Sequence, residues 1–188
     1  MSDEQLSTPV GARDHSQGDP NAPVTLVEYG DYECPDCGRV HPIIQRLQQR
    51  LGKRLRFVFR NFPLTHTHPH AQHAAEATES ARARGGPAAY WALHDLIFEH
   101  QQDGPTALSD AGLERMASMA VVDGRAVLED IDAHLFQARV REDHMSGVRS
   151  GVRATPTFFI NGKRYAGRWD EASLADALHA AAHAGAAT

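Results

Sequence analysis

The chain has 188 residues, a formal net charge of −5 and 41% apolar residues. That is enough apolar material for a core of ordinary size, so no disulfide is needed as a staple. No basic tract suggests a nucleic-acid surface, and no apolar run is long enough to cross a membrane.

Residues 1–19 are polar and read as a flexible N-terminal arm, with at most a loose pairing to an edge strand. The opening Met1-Ser2-Asp3-Glu4-Gln5 is acidic and lacks the basic start and apolar core of an export signal, so the expected location is cytoplasmic. Asp19 to Pro23 is a turn cluster. Val24 to Tyr29 is a short apolar run suited to a buried strand. Glu28 sits near its end and is read either as solvated there or as a buried acid.

Cys34 and Cys37 follow, the only cysteines in the chain. A bridge between them would close a tiny loop and constrain the unfolded chain little, so the pair is poorly explained as a stability device. After them Cys37, Val40, Ile44, Leu47 and Leu51 recur on one face of a helix that ends at Gly52 and contains Pro42. Two thiols at the start of a helix lie roughly 5–6 Å apart at Cα, within disulfide reach. The first meets the positive end of the helix dipole, which favours thiolate. The chemistry this implies is thiol–disulfide exchange, with Cys34 as nucleophile and Cys37 as resolving thiol.

Leu55 to Arg60 reads as a second strand, with Arg60 set either to pair with Glu28 or to face solvent. A histidine-rich stretch (His66, His68, His70, His73) leads into an alanine-rich helix, broken at Gly85-Gly86-Pro87 and resumed from Ala88 to Gln101. Ser109 caps the next helix. Asp123 caps another, in which Val127, Ile131, Leu135 and Ala138 recur, running to about Gly147. Gly151 to Pro156 is a loop. Thr157 to Ile160 and Lys163 to Tyr165 flank Asn161-Gly162, a strong hairpin signal. Asp170 caps a last helix, and Ala184 to Thr188 are expected to fray.

This order resembles the DsbA-like branch of the thioredoxin superfamily. Four features carry the resemblance. Cys34-Pro35-Asp36-Cys37 follows the first apolar strand. Glu28 lies six residues before Cys34 and Pro42 eight after it. The loop Gly151 to Thr157 precedes the hairpin. The resemblance implies an α/β thioredoxin fold with a helical insertion between its βαβ half and its C-terminal ββα half. The implied layout is a thioredoxin-like domain from residues 20–66 and 148–188, with an inserted helical domain at 67–147. It also implies roles. Cys34 is the exposed nucleophile and Cys37 the resolving thiol. Glu28 shuttles a proton to Cys37, and Pro156 is a cis-proline facing the cysteines. Thr155, Pro35 and Asp36 meet the substrate, Thr155 by strand addition.

The implied activity is that of a protein disulfide oxidoreductase, and the implied partners are protein or peptide thiols and disulfides together with a further redox partner.

 The exchange itself needs no cofactor beyond the redox-active Cys34–Cys37 disulfide, and a monomer is expected. Asp36 stands where DsbA has a histidine, and Asp31 and Glu33 add negative charge nearby. Cys34 is therefore expected to be less acidic than the DsbA nucleophile, and its couple more reducing.

Other readings of the same residues remain. One is a non-catalytic thioredoxin-fold binding or chaperone module. Another is a glutathione-dependent transferase or isomerase of this fold, against which Cys37 counts. A zinc site could join the cysteines to the histidine cluster, but twenty-eight residues separate Cys37 from His66, against about twelve in a zinc finger. No metal is expected. His94 is read as a core-edge packing residue.

Overall fold

The computed structural model describes residues 5–185. Residues 1–4 of the expected arm and 186–188 of the expected frayed end lie outside the described residues. Two compact units form. One takes residues up to 30, 39–60 and from 145 onward, and the other takes 31–38 and 61–144. The cysteine segment thus groups with the helical unit.

The first unit is built on a five-stranded sheet of order β1-β3-β2-β4-β5. Its strands are β1 (His15–Gly18), β2 (Val24–Gly30), β3 (Leu55–Asn61), β4 (Thr157–Ile160) and β5 (Lys163–Tyr165). β2 and β4 lie inside the sheet and are buried almost throughout, which is why they read as unbroken apolar runs. They pair antiparallel, with Glu28 opposite Phe158 and Tyr29 opposite Thr157. Asn161 and Gly162 both take positive φ (46° and 80°), as the tight hairpin from β4 to β5 requires. Helix α1 (Pro35–Leu51) buries Val40, Ile44, Leu47 and Leu51, the stripe expected from the sequence, and contains Pro42. Helix α6 (Glu171–Gly185) buries Leu174 and Leu178.

The stretch expected as a flexible arm is tied to the sheet at two places within its described length. β1 pairs antiparallel with β3, and the Leu6 N–H donates to the Gly162 carbonyl at 2.8 Å. The cause is Arg60, only 2% exposed. A buried guanidinium has five N–H donors to satisfy. Arg60 donates to Asp14 at 2.7 and 3.0 Å, to the Tyr29 hydroxyl at 2.9 Å, and to the carbonyls of Thr8 and Pro9. Its acid partner is Asp14, not Glu28, and it does not face solvent.

The second unit is helical. Helix α2 (Ala71–His100) is interrupted at Gly86 (φ 78°), where the sequence placed its break. Ser109 caps α3 (Asp110–Met119), accepting the Gly112 N–H, and Asp123 caps α4 (Gly124–Asp132), accepting the Ala126 N–H. The single helix expected from Asp123 to Gly147 is instead two, α4 and α5 (Gln137–Arg149). His134 ends α4 with φ 53°. Its N–H meets the Ile131 carbonyl, and the Leu135 N–H reaches back to Asp130. That is a Schellman cap with histidine where glycine is usual, so the stop was hidden. Leu135, expected in the core, is 61% exposed.

Val121 ends α3 the same way, at φ 62° and 91% exposed. A β-branched residue there costs about 1–2 kcal/mol. Glycine's larger unfolded-state entropy offsets about 0.5–1 of this. Val121→Gly should raise Tm by about 2–4 °C in a calorimetric scan; an unchanged or lower Tm contradicts the strain.

A buried polar network crosses the helical unit. The Asn61 N–H donates to Asp143 at 3.1 Å, the Asn61 side chain to Glu79 at 3.0 Å, and Arg139 to Asp143 at 2.5 Å. Burial pushes the Asp143 carboxyl up to about 6, against the pull of Arg139. An unfolded aspartate titrates near 4. The folded chain thus keeps a proton that the unfolded chain has released. This group's contribution to stability is full below about pH 4 and is lost as pH rises through about 6. Asp143→Asn should therefore lose less Tm than the parent between pH 5 and 7. Equal losses would contradict this assignment.

Candidate active site

β2 runs directly into the loop Asp31-Tyr32-Glu33, and α1 begins at Pro35. Cys34 is the residue before the helix. Its carbonyl accepts the first helical bond, from the Gly38 N–H at 3.2 Å, and its own N–H donates to the Asp31 carbonyl at 3.1 Å. Cys34 therefore occupies the cap position, at the positive end of α1. Cys37 lies in the first turn. The two are not joined by a disulfide. Cys34 keeps 6% of its surface and Cys37 none. The order of exposure is the expected one, but Cys34 is a buried residue rather than an exposed one, because the loop before it packs inward. Tyr32 in that loop is 1% exposed and lies against Phe98 (ring centroids 5.0 Å apart).

The loop is held by side chains that the motif does not include. The Asp31 carboxylate accepts from the N–H groups of Glu33 and Leu64 and from His68 Nδ1, each at 2.8 Å. The Asp31 N–H donates to Cys37 Sγ at 3.5 Å. Glu33 accepts the His70 N–H at 2.6 Å. Gln101, at the end of α2, donates to the Tyr32 carbonyl at 2.9 Å. A Cβ on Gly38 would come within 2.5 Å of the Gln101 Oε1, so glycine at 38 leaves room for that bond. The Tyr32 hydroxyl meets His94 Nδ1 at 2.9 Å, and burial pushes the hydroxyl well above its ordinary range. His94, expected at the edge of the core, is 1% exposed.

Asp31 and Glu33 are thus not bare negative charges. Each is met by donors, which weakens their opposition to a thiolate. Asp36 lies in the first turn of α1, between the two cysteines in sequence. It is favourable for the helix, because it meets the same positive end that would otherwise act on Cys34 alone. Pro35 is exposed and Asp36 half-buried.

The other expected site residues belong to the sheet unit. Glu28 is 3% exposed, so the reading of a solvated strand end does not hold. The Thr155–Pro156 peptide is cis and leads into β4. Because β4 pairs with β2, Thr155 and Pro156 enter the sheet at the end where Glu28 and Tyr29 leave it. The histidine stretch divides between two acids: His68 on Asp31 and His73 on Asp110 at 2.9 Å. Among the described residues, neither cysteine belongs to a group of three or more side chains placed to hold a metal ion. Asp31 was visible in the sequence only as charge. Nothing local marked His68 or Gln101.

The fold and the placement of the cysteines define a thioredoxin-type protein. The thioredoxin family profile matches residues 11–180, and the chain belongs to that family. Among curated proteins it is 41% identical over 170 residues to one named Na(+)/H(+) antiporter NhaA 1, from Mycobacterium sp. (strain KMS). That match covers 89% of this chain and 27% of the antiporter, so the chain spans about a quarter of the length of the curated relatives it matches. The fold is DsbA-like. It superposes on oxidised BdbD from Bacillus subtilis with a TM-score of 0.85 at 24% identity, covering 97% of this chain and 100% of that one. On alpha-DsbA1 from Wolbachia pipientis the TM-score is 0.80 at 20% identity, covering 97% and 96%. Among the described residues, no helix is long and apolar enough to cross a membrane.

Proposed function

We propose that the chain is a thiol–disulfide oxidoreductase acting on protein or peptide substrates through Cys34 and Cys37. The observation that carries this is Cys34 at the cap of α1 with Cys37 in the first turn, in a thioredoxin fold. A helix N-terminus lowers the cost of a thiolate, and the thiolate is the reacting species.

In the reducing direction the Cys34 thiolate attacks one sulfur of a substrate disulfide. A Cys34–substrate bond forms, and the other substrate sulfur leaves as a thiolate and takes a proton. Cys37, deprotonated, then attacks the Cys34 sulfur. The Cys34–Cys37 disulfide forms and the second substrate thiol is released. The substrate gains two electrons and two protons, and the protein loses them. The oxidising direction is the reverse. In this reading the buried Glu28 takes the Cys37 proton. Thr155 offers backbone to an extended substrate; Pro35 and Asp36 are the further residues assigned to substrate contact, and Pro156 is the proline of the Thr155–Pro156 pair. No bound cofactor is needed.

A second reading rests on the antiporter relatives: the module works joined to, or beside, a membrane Na(+)/H(+) antiporter. One experiment addresses both. Wild type should reduce insulin in the presence of dithiothreitol, and Cys34→Ser should abolish this. Cys37→Ser should accumulate a mixed disulfide that mass spectrometry can identify. Insulin reduction unchanged in Cys34→Ser contradicts the oxidoreductase. An antiporter-type membrane protein in the trapped complex supports the second reading, and its absence from complexes trapped in membranes that contain one counts against it.

A further inference from the structure

We propose that His68 is a positioning residue for the cysteine loop, acting through Asp31, and that it shifts the Cys34–Cys37 equilibrium toward the dithiol. This rests on the oxidoreductase reading and deepens it.

Asp31 touches both cysteines through its backbone. Its carbonyl accepts the Cys34 N–H at 3.1 Å, and its N–H donates to Cys37 Sγ at 3.5 Å. Where Asp31 sits therefore bears on one hydrogen bond to the sulfur of Cys37 and one at the Cys34 cap. Its carboxylate is what fixes it. That side chain is fully buried, and three donors converge on it: Glu33 N, Leu64 N and His68 Nδ1. A fully buried carboxylate is costly unless its lone pairs are filled.

His68 is the only side chain among those three donors. A carboxylate can only accept, so Nδ1 of His68 carries the hydrogen. The imidazole is 15% exposed, against 0% for the Asp31 side chain. The same pairing occurs a few residues on, at His73 and Asp110, where the two side chains are 38% and 56% exposed. Solvent screens that second pair, and neither member touches the cysteine loop. It is a built-in control for the chemistry without the location.

Removing the His68 donor has two consequences of the same sign. The Asp31 carboxylate keeps more of its negative charge unmet, which disfavours a nearby thiolate. The Asp31 N–H is also less firmly held on Cys37 Sγ, which removes a donor from sulfur. Both destabilise the reduced form relative to the disulfide. In the exchange, the oxidised protein plus two glutathione thiols gives the protein dithiol plus one glutathione disulfide. Loss of His68 moves that balance back toward the protein disulfide.

The test is the equilibrium constant with glutathione, read by the redox state of the cysteines, in wild type, His68→Ala, His68→Asn and His73→Ala. His68→Ala should favour the protein disulfide by about three- to tenfold; tenfold corresponds to roughly 30 mV for this two-electron couple. His68→Asn places an amide N–H near the position of Nδ1 and should recover most of the change. His73→Ala should match wild type. If His68→Ala does not fold, His68→Leu fills the volume without a donor and takes its place. His68→Ala or His68→Leu within twofold of wild type overturns the inference, and so does an equal shift in His73→Ala. If wild type exchanges with glutathione and the His68 variants behave like it, only this inference fails. If wild type does not exchange at all, the oxidoreductase reading fails and the inference goes with it.

Discussion

The site depends on one constraint: a cysteine must stand at the N-terminus of a helix while the loop before it is kept in place. A helix end leaves four N–H groups without partners along the chain, and their partial charge favours an anion beside them. Cys34 takes that position because β2 ends at Gly30 and only three residues intervene before it. So short a connection cannot hold itself. Asp31, Glu33 and Tyr32 are each held instead by groups far along the chain, at Leu64, His68, His70 and Gln101. Gly38 then matters for a reason unrelated to turns, since a side chain there would occupy the place of Gln101.

The residues assigned to the proposed chemistry divide between the two units. The helical unit holds both cysteines and the groups that fix their loop. The sheet unit holds Glu28 and the Thr155–Pro156 entry to β4. Its sheet extends by β1, because a buried Arg60 requires acceptors that the N-terminal segment provides. The acids differ accordingly. Glu28 is buried in a central strand. Asp31 is buried but met by three donors. Asp36 shares the helix end with Cys34. An acid's effect on a thiolate depends on what else faces it, and counting charges in the motif does not capture that.

Much of this was legible in the residues. The cysteine pair, the apolar stripe of α1, the break at Gly86, the caps Ser109 and Asp123 and the Asn161-Gly162 hairpin all announce themselves locally, because backbone conformation there follows from the side chain present. The failures share a cause. His134 ends α4 in a conformation that glycine usually fills, so composition gave no sign of a stop there. The polar segment ahead of β2 looked unstructured because its partner, Arg60, lies more than forty residues away in sequence. His68 looked like one of four histidines in a polar stretch, and only the fold shows which acid it meets. Long-range polar pairing leaves no periodic mark.

The central claim is that the N-terminus of α1 activates Cys34 against the opposition of Asp36. Thiolate absorbance of the reduced protein against pH, with Cys34→Ser as the blank, tests it most directly. The Cys34 thiol should titrate below the value of about 8.5 for an ordinary cysteine and above the DsbA extreme of about 3.5. A midpoint at or above 8.5 would contradict activation by the helix, and one near 3.5 would contradict the opposing acid.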